Sequence, residues 1–256
     1  MLLTGKKVLI MGIRNKWSIA WGAAKSAYEN GAEVLFTCSN MENIEKIKEL
    51  ISQIPNSKLY TCDAGSDESI SECLEKVKNE NGKIDGILHS IAHANTEDLR
   101  NNFIKTSRNG FAHASDISAY SLVAIARIAM EKELLNKNSS IVALTYYGSE
   151  KAVVGYNIMG VAKAALEASI KYLAQDLGTN TIRINAISAG PIKTLSAKGI
   201  KDFGSILNIV EEKAPLHKNV TTKEVGDTVT FLFSEMSSAI TGEVTHVDNG
   251  FSIVGV

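Results

Sequence analysis

Two tyrosines and a lysine carry the clearest chemical potential in this chain: Tyr146, Tyr156 ten residues later, and Lys163 seven residues beyond that. Seven residues are two helical turns, so a helix over 156–177 would set Tyr156 and Lys163 on one face. A phenolic O–H can donate to an oxygen on which negative charge develops, as when hydride adds to an activated double bond. An ammonium can hold a cofactor ribose and bias the phenol electrostatically. Spacing alone equally suits a core tyrosine beside a solvated lysine. Position favours chemistry: the pair follows LTYYG, the end of an apolar strand-like run.

The elements that must position these groups alternate along the chain. Strands are expected at 7–11, 33–38, 58–62, 84–90, 140–146, 182–188 and 243–248. Helices are expected at 18–30, 41–53, 67–80, 116–136, 156–177 and 222–234. Near-continuous Val/Ile/Leu runs suit parallel strands buried on both faces. The series predicts a single-domain, Rossmann-type, doubly wound seven-stranded parallel sheet spanning 1–256, with helices on both faces. Ligands of such sheets bind beyond the carboxyl ends of the strands.

That edge carries a plausible dinucleotide site. Gly12 ends the first strand, and Ser18 is a candidate N-cap for a helix whose unpaired N–H groups attract a pyrophosphate. Gly12 would allow close backbone approach, and Gly22 would let the helix pack tightly on the sheet. The segment GIRNKWSIAWG is not G-x-G-x-x-G, and an ordinary strand–helix turn has the same look. Asp63, with Ala64 beside it, follows the third strand and could accept from an adenine amino group or serve helix entry. Ser90, Ile91 and Ala92 follow the fourth and would let backbone lie beside a nicotinamide ribose, or simply pack closely. Ser39, Asn40 and Met41 end the second strand, where an acid selects NADH and a base NADPH. They offer neither, and the lack of a cation favours NADH over NADPH.

Taken together, SIAWG at 18–22, HSIA at 89–92, LTYYG at 144–148, YNIMGVAKA at 156–164, SAGPIKTLSAKGI at 188–200 and the closing ITGEVTHVDNGF resemble bacterial enoyl-[acyl-carrier-protein] reductases of the NADH-dependent, triclosan-sensitive type, a divergent branch of the short-chain dehydrogenases/reductases. The resemblance spans essentially the whole chain. It implies reduction of a trans-2-enoyl thioester on acyl-carrier protein, the last step of fatty-acid elongation. It further implies that Tyr156 contacts the thioester oxygen, Lys163 the nicotinamide ribose, and Tyr146 acts as a second active-site tyrosine. Gly12, Ser18, Ile19, Ser39, Asp63, Ala64, Ser90, Ile91, Ile192, Thr194, Leu195 and Ser196 match cofactor-contacting positions. Ala94 matches a substrate-pocket position. Residues 192 to about 210 match a mobile substrate-binding loop, with Ile200 and Phe203 placed to cover an acyl chain. A homotetramer is implied as well. Ser39 departs from the glutamine of some relatives, and Gly204 and Ser205 stand where others carry further basic residues after Lys201.

Other readings are less well supported. A 3-ketoacyl or other carbonyl reductase would place tyrosine four residues before Lys163, where this chain has Met159, whose thioether donates no proton. A non-catalytic NAD(P)-binding regulator has no need of Tyr156 and Lys163 together. His89 and His93 lack the helical spacing and carboxylate partner of a zinc site, and His217 and His246 are isolated. With 27 Lys+Arg against 28 Asp+Glu, nothing draws the chain to nucleic acid or an anionic membrane. The absence of an apolar leader and the sparse Cys38, Cys62 and Cys73, read as buried thiols, imply a cytoplasmic protein.

Overall fold

The computed structural model describes residues 1–39, 44–194 and 203–255, with Phe203 described through its backbone alone. Seven strands form one sheet: β1 Lys7–Met11, β2 Glu33–Cys38, β3 Lys58–Thr61, β4 Ile84–His89, β5 Leu135–Thr145, β6 Arg183–Ala189 and β7 Val244–Val247. Their order is β3-β2-β1-β4-β5-β6-β7, and every neighbouring pair is parallel. The helices are α1 Ile19–Glu29, α2 Ile44–Ile51, α3 Asp67–Asn81, α4 Thr96–Arg100, α5 Arg108–Ser115, α6 Ser121–Glu131, α7 Ile158–Gly178, α8 Phe203–Lys213 and α9 Thr222–Phe233. Among the described residues no helix is long and apolar enough to cross a membrane.

Two cores sandwich the sheet, as the alternation of side chains along a strand requires. Leu9 and Met11 of β1 face a core shared with α3, α6 and α7; Val8 and Ile10 face one shared with α1, α2 and α9. Cys38, Cys62 and Cys73 are all buried, and none forms a disulfide among the described residues.

Three expectations need correction. The helix expected over 116–136 is instead a π-helical turn, Asp116–Tyr120, followed by α6, which stops at Glu131. Glu133 adopts φ 49° and turns the chain, so Leu134 and Leu135 enter the sheet's core rather than extend an apolar helix face. Gly22 does not serve helix–sheet packing. A Cβ on it would lie 2.2 Å from the carbonyl oxygen of Thr222, and one on Gly226 would lie 2.5 Å from Gly22 O. The two glycines let α1 and α9 cross at backbone contact.

The third correction concerns Tyr156, which is not on a helix. Its N–H donates to Val153 O at 3.0 Å within a turn, and α7 starts two residues later. Tyr156 and Lys163 therefore do not share a helical face.

Candidate active site

Where β1 and β4 lie side by side the strand order reverses, opening a crevice beyond their carboxyl ends. Gly12 leaves β1 with φ 89°. Its N–H and that of Ile13 donate to Thr37 O at 3.1 and 3.0 Å, tying the turn to β2. A Cβ at Gly12 would sit 2.5 Å from Ser90 O, so only glycine lets the loops after β1 and β4 touch. Ser18 caps α1 as expected: its Oγ accepts from Trp21 N at 3.3 Å and donates to Asn15 O at 2.7 Å. Ile19 opens the helix, which follows directly from the loop at the carboxyl end of β1, and its first-turn N–H groups carry the positive end of the helix dipole. This cradle of bare backbone and a helix N-terminus fits a dinucleotide pyrophosphate.

At the β3 side of the crevice, the exposed Asp63 accepts at Oδ1 from Gly65 N at 2.9 Å, forming an Asx turn that leaves its other oxygen available. Ala64 lies beside it, half-buried. Ile117, on the π-helical turn, was not legible as a site residue. Its Cδ1 would be 2.9 Å, and Asp63 Oδ1 3.4 Å, from a Cβ at Gly65, so an apolar side chain adjoins the Asp63 carboxylate. Ser39 is exposed at the end of β2; Asn40 and Met41 lie outside the described residues.

The loop after β4 is gripped at both ends by the π-helical turn and the start of α6. Buried His89 shares a hydrogen bond with Ser121 Oγ at 2.8 Å, and Ser121 Oγ donates to Ile117 O at 2.7 Å. At the other end, Ser118 Oγ accepts from His93 N at 3.0 Å and donates to His93 O at 3.1 Å. Ser90 N–H donates to Met11 O, and Ile91 packs against the core. Ser90 and Ile91 are thereby held against Gly12. A π turn at such a place fits its frequent association with functional sites. Among the described residues no group of three or more metal-ligating side chains converges.

The tyrosines and lysine gather at the ends of β5 and the start of α7. Tyr146 and Tyr156 meet edge-to-face, with centroids 4.8 Å apart and rings at 70°. Gly148 makes the space: a Cβ there would lie 2.4 Å from Tyr156 Cδ1. Lys163 is 5% exposed, and its Nζ donates to Leu144 O at 2.7 Å. One N–H of three is spent there among the described residues, leaving a buried cation with donors for a ligand. Burial pulls its pKa down to about 8, against the raising effect of Glu167. Burial pushes Tyr146 up to about 12, with the neighbouring Tyr147 adding to it. Tyr156 is raised further by burial, then by Tyr146 and Glu167, so the phenol stays protonated and able to donate.

Ala94 follows the gripped loop and is half-buried just before α4. Ile192 packs against the second core, and its carbonyl accepts from Thr194 N at 2.7 Å. Leu195, Ser196 and Ile200 lie outside the described residues, as does the side chain of Phe203. Besides Ile117, sequence reasoning missed Asn157, Glu167, Gly148 and Ser118. Of these, Glu167 was findable, standing four residues after Lys163 on one helical face.

A family model described as "Enoyl-(Acyl carrier protein) reductase" matches residues 12–252. The chain belongs to the enoyl-(acyl carrier protein) reductase family. It is 50% identical over 256 residues to the Bacillus cereus enoyl-[acyl-carrier-protein] reductase named for NADH, with 99% of each chain covered. It is 51% identical to a Staphylococcus aureus relative named for NADPH, with 98% of each chain covered. Among solved structures, the B. cereus reductase with NADP+ and an indole naphthyridinone matches with TM-score 0.97 and 49% identity, covering 100% of this chain and 99% of that one. The Aquifex aeolicus enzyme matches with TM-score 0.96 and 44% identity, covering 100% of both chains. Family membership carries the expected fold and reaction class with it: the chain is an enoyl-[acyl-carrier-protein] reductase.

Proposed function

We propose that the reductase uses NADH, with Tyr156 as donor to the thioester oxygen of a trans-2-enoyl chain and Lys163 as the cation that holds the cofactor ribose. The observations that carry this reading are the Tyr156 ring packed on Tyr146, just past the end of β5, and the buried Lys163 ammonium bonded to Leu144 O of the same strand end. When bound, reduced nicotinamide supplies the hydride. Tyr156 donates its hydrogen bond to the oxygen as charge builds there. Lys163 supplies positive charge below about pH 8. Tyr146 holds the Tyr156 ring by its edge. Gly12, Ser18, Ile19, Ser90, Ile91, Ile192 and Thr194 line the cofactor's course, and Asp63 and Ala64 meet its adenine. Met159, at the position where a carbonyl reductase keeps its tyrosine, is buried and apolar, which favours Tyr156 as the donor.

NADH is favoured over NADPH because the described end of β2 presents Ser39 and no cation. The substrate arrives as a thioester on acyl-carrier protein; the expected substrate-binding loop at 192–210 lies partly outside the described residues, and its last part, from Phe203, is the start of α8 rather than loop. A homotetramer is supported by a stripe on the outer face of α7 (Val161, Ala164, Ala165, Ala168 and the largely exposed Tyr172) that lacks a covering element among the described residues. The cytoplasm is the expected compartment.

The test is to follow nicotinamide absorbance with crotonyl and carrier-protein thioesters, in parallel with NADH and NADPH. Oxidation of NADH at ordinary enzyme rates, ~1–10³ s⁻¹, is expected. Oxidation of NADPH alone would overturn the cofactor assignment and keep the reaction.

A further inference from the structure

We propose that Asn157 is a positioning residue for Tyr156, tying the turn that carries the tyrosine to the end of α4. Asn157 has φ 43° and ψ −119°, a left-handed conformation that an L side chain rarely adopts. It stands at the N-cap of α7, where an asparagine would ordinarily accept from the first-turn N–H groups. Its side chain makes no such cap. Instead, Nδ2 donates to Leu99 O at 2.9 Å and to Asn101 O at 2.6 Å.

Those acceptors explain the strained backbone. The last carbonyls of a helix have no donor within it, and α4 ends at Arg100. Both amide hydrogens of Asn157 are spent on them, and the left-handed turn is what aims the amide that way. Backbone strain held by surrounding bonds is typical of sites where geometry matters more than local stability.

The adjacent residue is Tyr156. Its ring fits a slot in which a Cβ at Gly148 would intrude to 2.4 Å and one at Gly160 would lie 3.6 Å away. A ring so confined moves whenever its own backbone moves. The tether fixes that backbone against residues 99–101, which follow directly from the Ala94 side of the crevice. Asn157 acts through Tyr156 and not on substrate or cofactor, and the inference rests on Tyr156 being the donor.

The experiment measures kcat, KM for an enoyl thioester and NADH affinity for Asn157→Gly, Asn157→Asp, Tyr156→Phe and Asn157→Gly/Tyr156→Phe. Glycine adopts the backbone freely but loses the tether; aspartate keeps the shape but sets an anion against two carbonyl oxygens. Both single Asn157 variants should lose kcat by about a hundredfold, the scale of a small misplacement of a catalytic group. NADH affinity should stay within about twofold, because Lys163 and Gly12 are untouched. In the Tyr156→Phe background, Asn157→Gly should add almost no further loss. Full kcat in Asn157→Gly, an equal loss of NADH affinity, or additive losses in the double variant would each overturn the proposal. Full kcat in Tyr156→Phe would instead overturn the role of the tyrosine.

Discussion

Thr145 Oγ1 donates to Glu167 Oε1 at 2.5 Å, joining the end of β5 to α7 one turn beyond Lys163. The carboxylate is thereby fixed beside the buried ammonium, where it opposes the desolvation that lowers the lysine pKa to about 8. The ammonium charge acts in turn on His89 of β4, whose pKa is held down by burial first and by Lys163 second.

A pH dependence follows. Lys163 is charged below about pH 8 and neutral above it, so NADH affinity should fall as pH rises through that value. Glu167→Gln removes the raising influence, and the ammonium is then lost at lower pH. Titrating NADH binding against pH should show the inflection shifted downward in the variant. Superimposable curves would mean that Glu167 does not set the charge of Lys163.

Gly148→Ala tests the slot around the tyrosine. A methyl group there meets Tyr156 Cδ1 at 2.4 Å, inside any real carbon contact. The ring must move, at a cost of about 1–3 kcal/mol in stability. We expect kcat to fall by about ten- to a hundredfold while NADH affinity is retained, because the cradle at Gly12 is remote from this contact. Unchanged kcat would show that the ring has slack.

The sheet and its crevice were legible because they rest on patterns local to the sequence: apolar runs for β1, β4 and β6, a serine cap at Ser18, and glycine at the end of β1. The site was legible as residue types but not as geometry. Nothing local distinguishes Tyr156 in a turn from Tyr156 in the first turn of a helix, because the deciding feature is the φ of Asn157, and that is imposed by Leu99 and Asn101 across the fold. Gly22 was assigned the wrong neighbour for the same reason, since α9 lies two hundred residues away in sequence and its contact is visible only once the sheet has formed. Ile117 and Ser118 depend on a π turn that no apolar periodicity announces.

Separating the two central roles requires two substitutions. Tyr156→Phe removes the donor and keeps the ring that packs on Tyr146, so turnover should fall by about 10²–10³ with NADH binding intact. Lys163→Ala removes the buried cation, so NADH affinity should weaken, measured directly by cofactor titration. Normal NADH binding in Lys163→Ala would show that the ribose is held elsewhere.

His89 gives a prediction about acid stability. Ser121 spends its hydroxyl proton on Ile117 O, so it must accept from His89 Nε2–H, which fixes the neutral tautomer. His89 Nδ1 is buried without a hydrogen-bond partner among the described residues. Burial, and then the charge of Lys163, hold the pKa down to about 3, against an ordinary value of 6.5. Between those values the unfolded chain binds a proton that the folded chain refuses, so stability rises with pH across the window and is level above it. Acidification from 6.5 toward 3 should therefore remove up to roughly 5 kcal/mol through this one residue. His89→Gln keeps a donor for Ser121 and removes the titration. Denaturant unfolding at several pH values should give a shallower acid slope for the variant than for the natural chain, whatever their stabilities at neutral pH. Parallel slopes would show that His89 takes up its proton without unfolding, and that the neutral imidazole is not a condition of the fold.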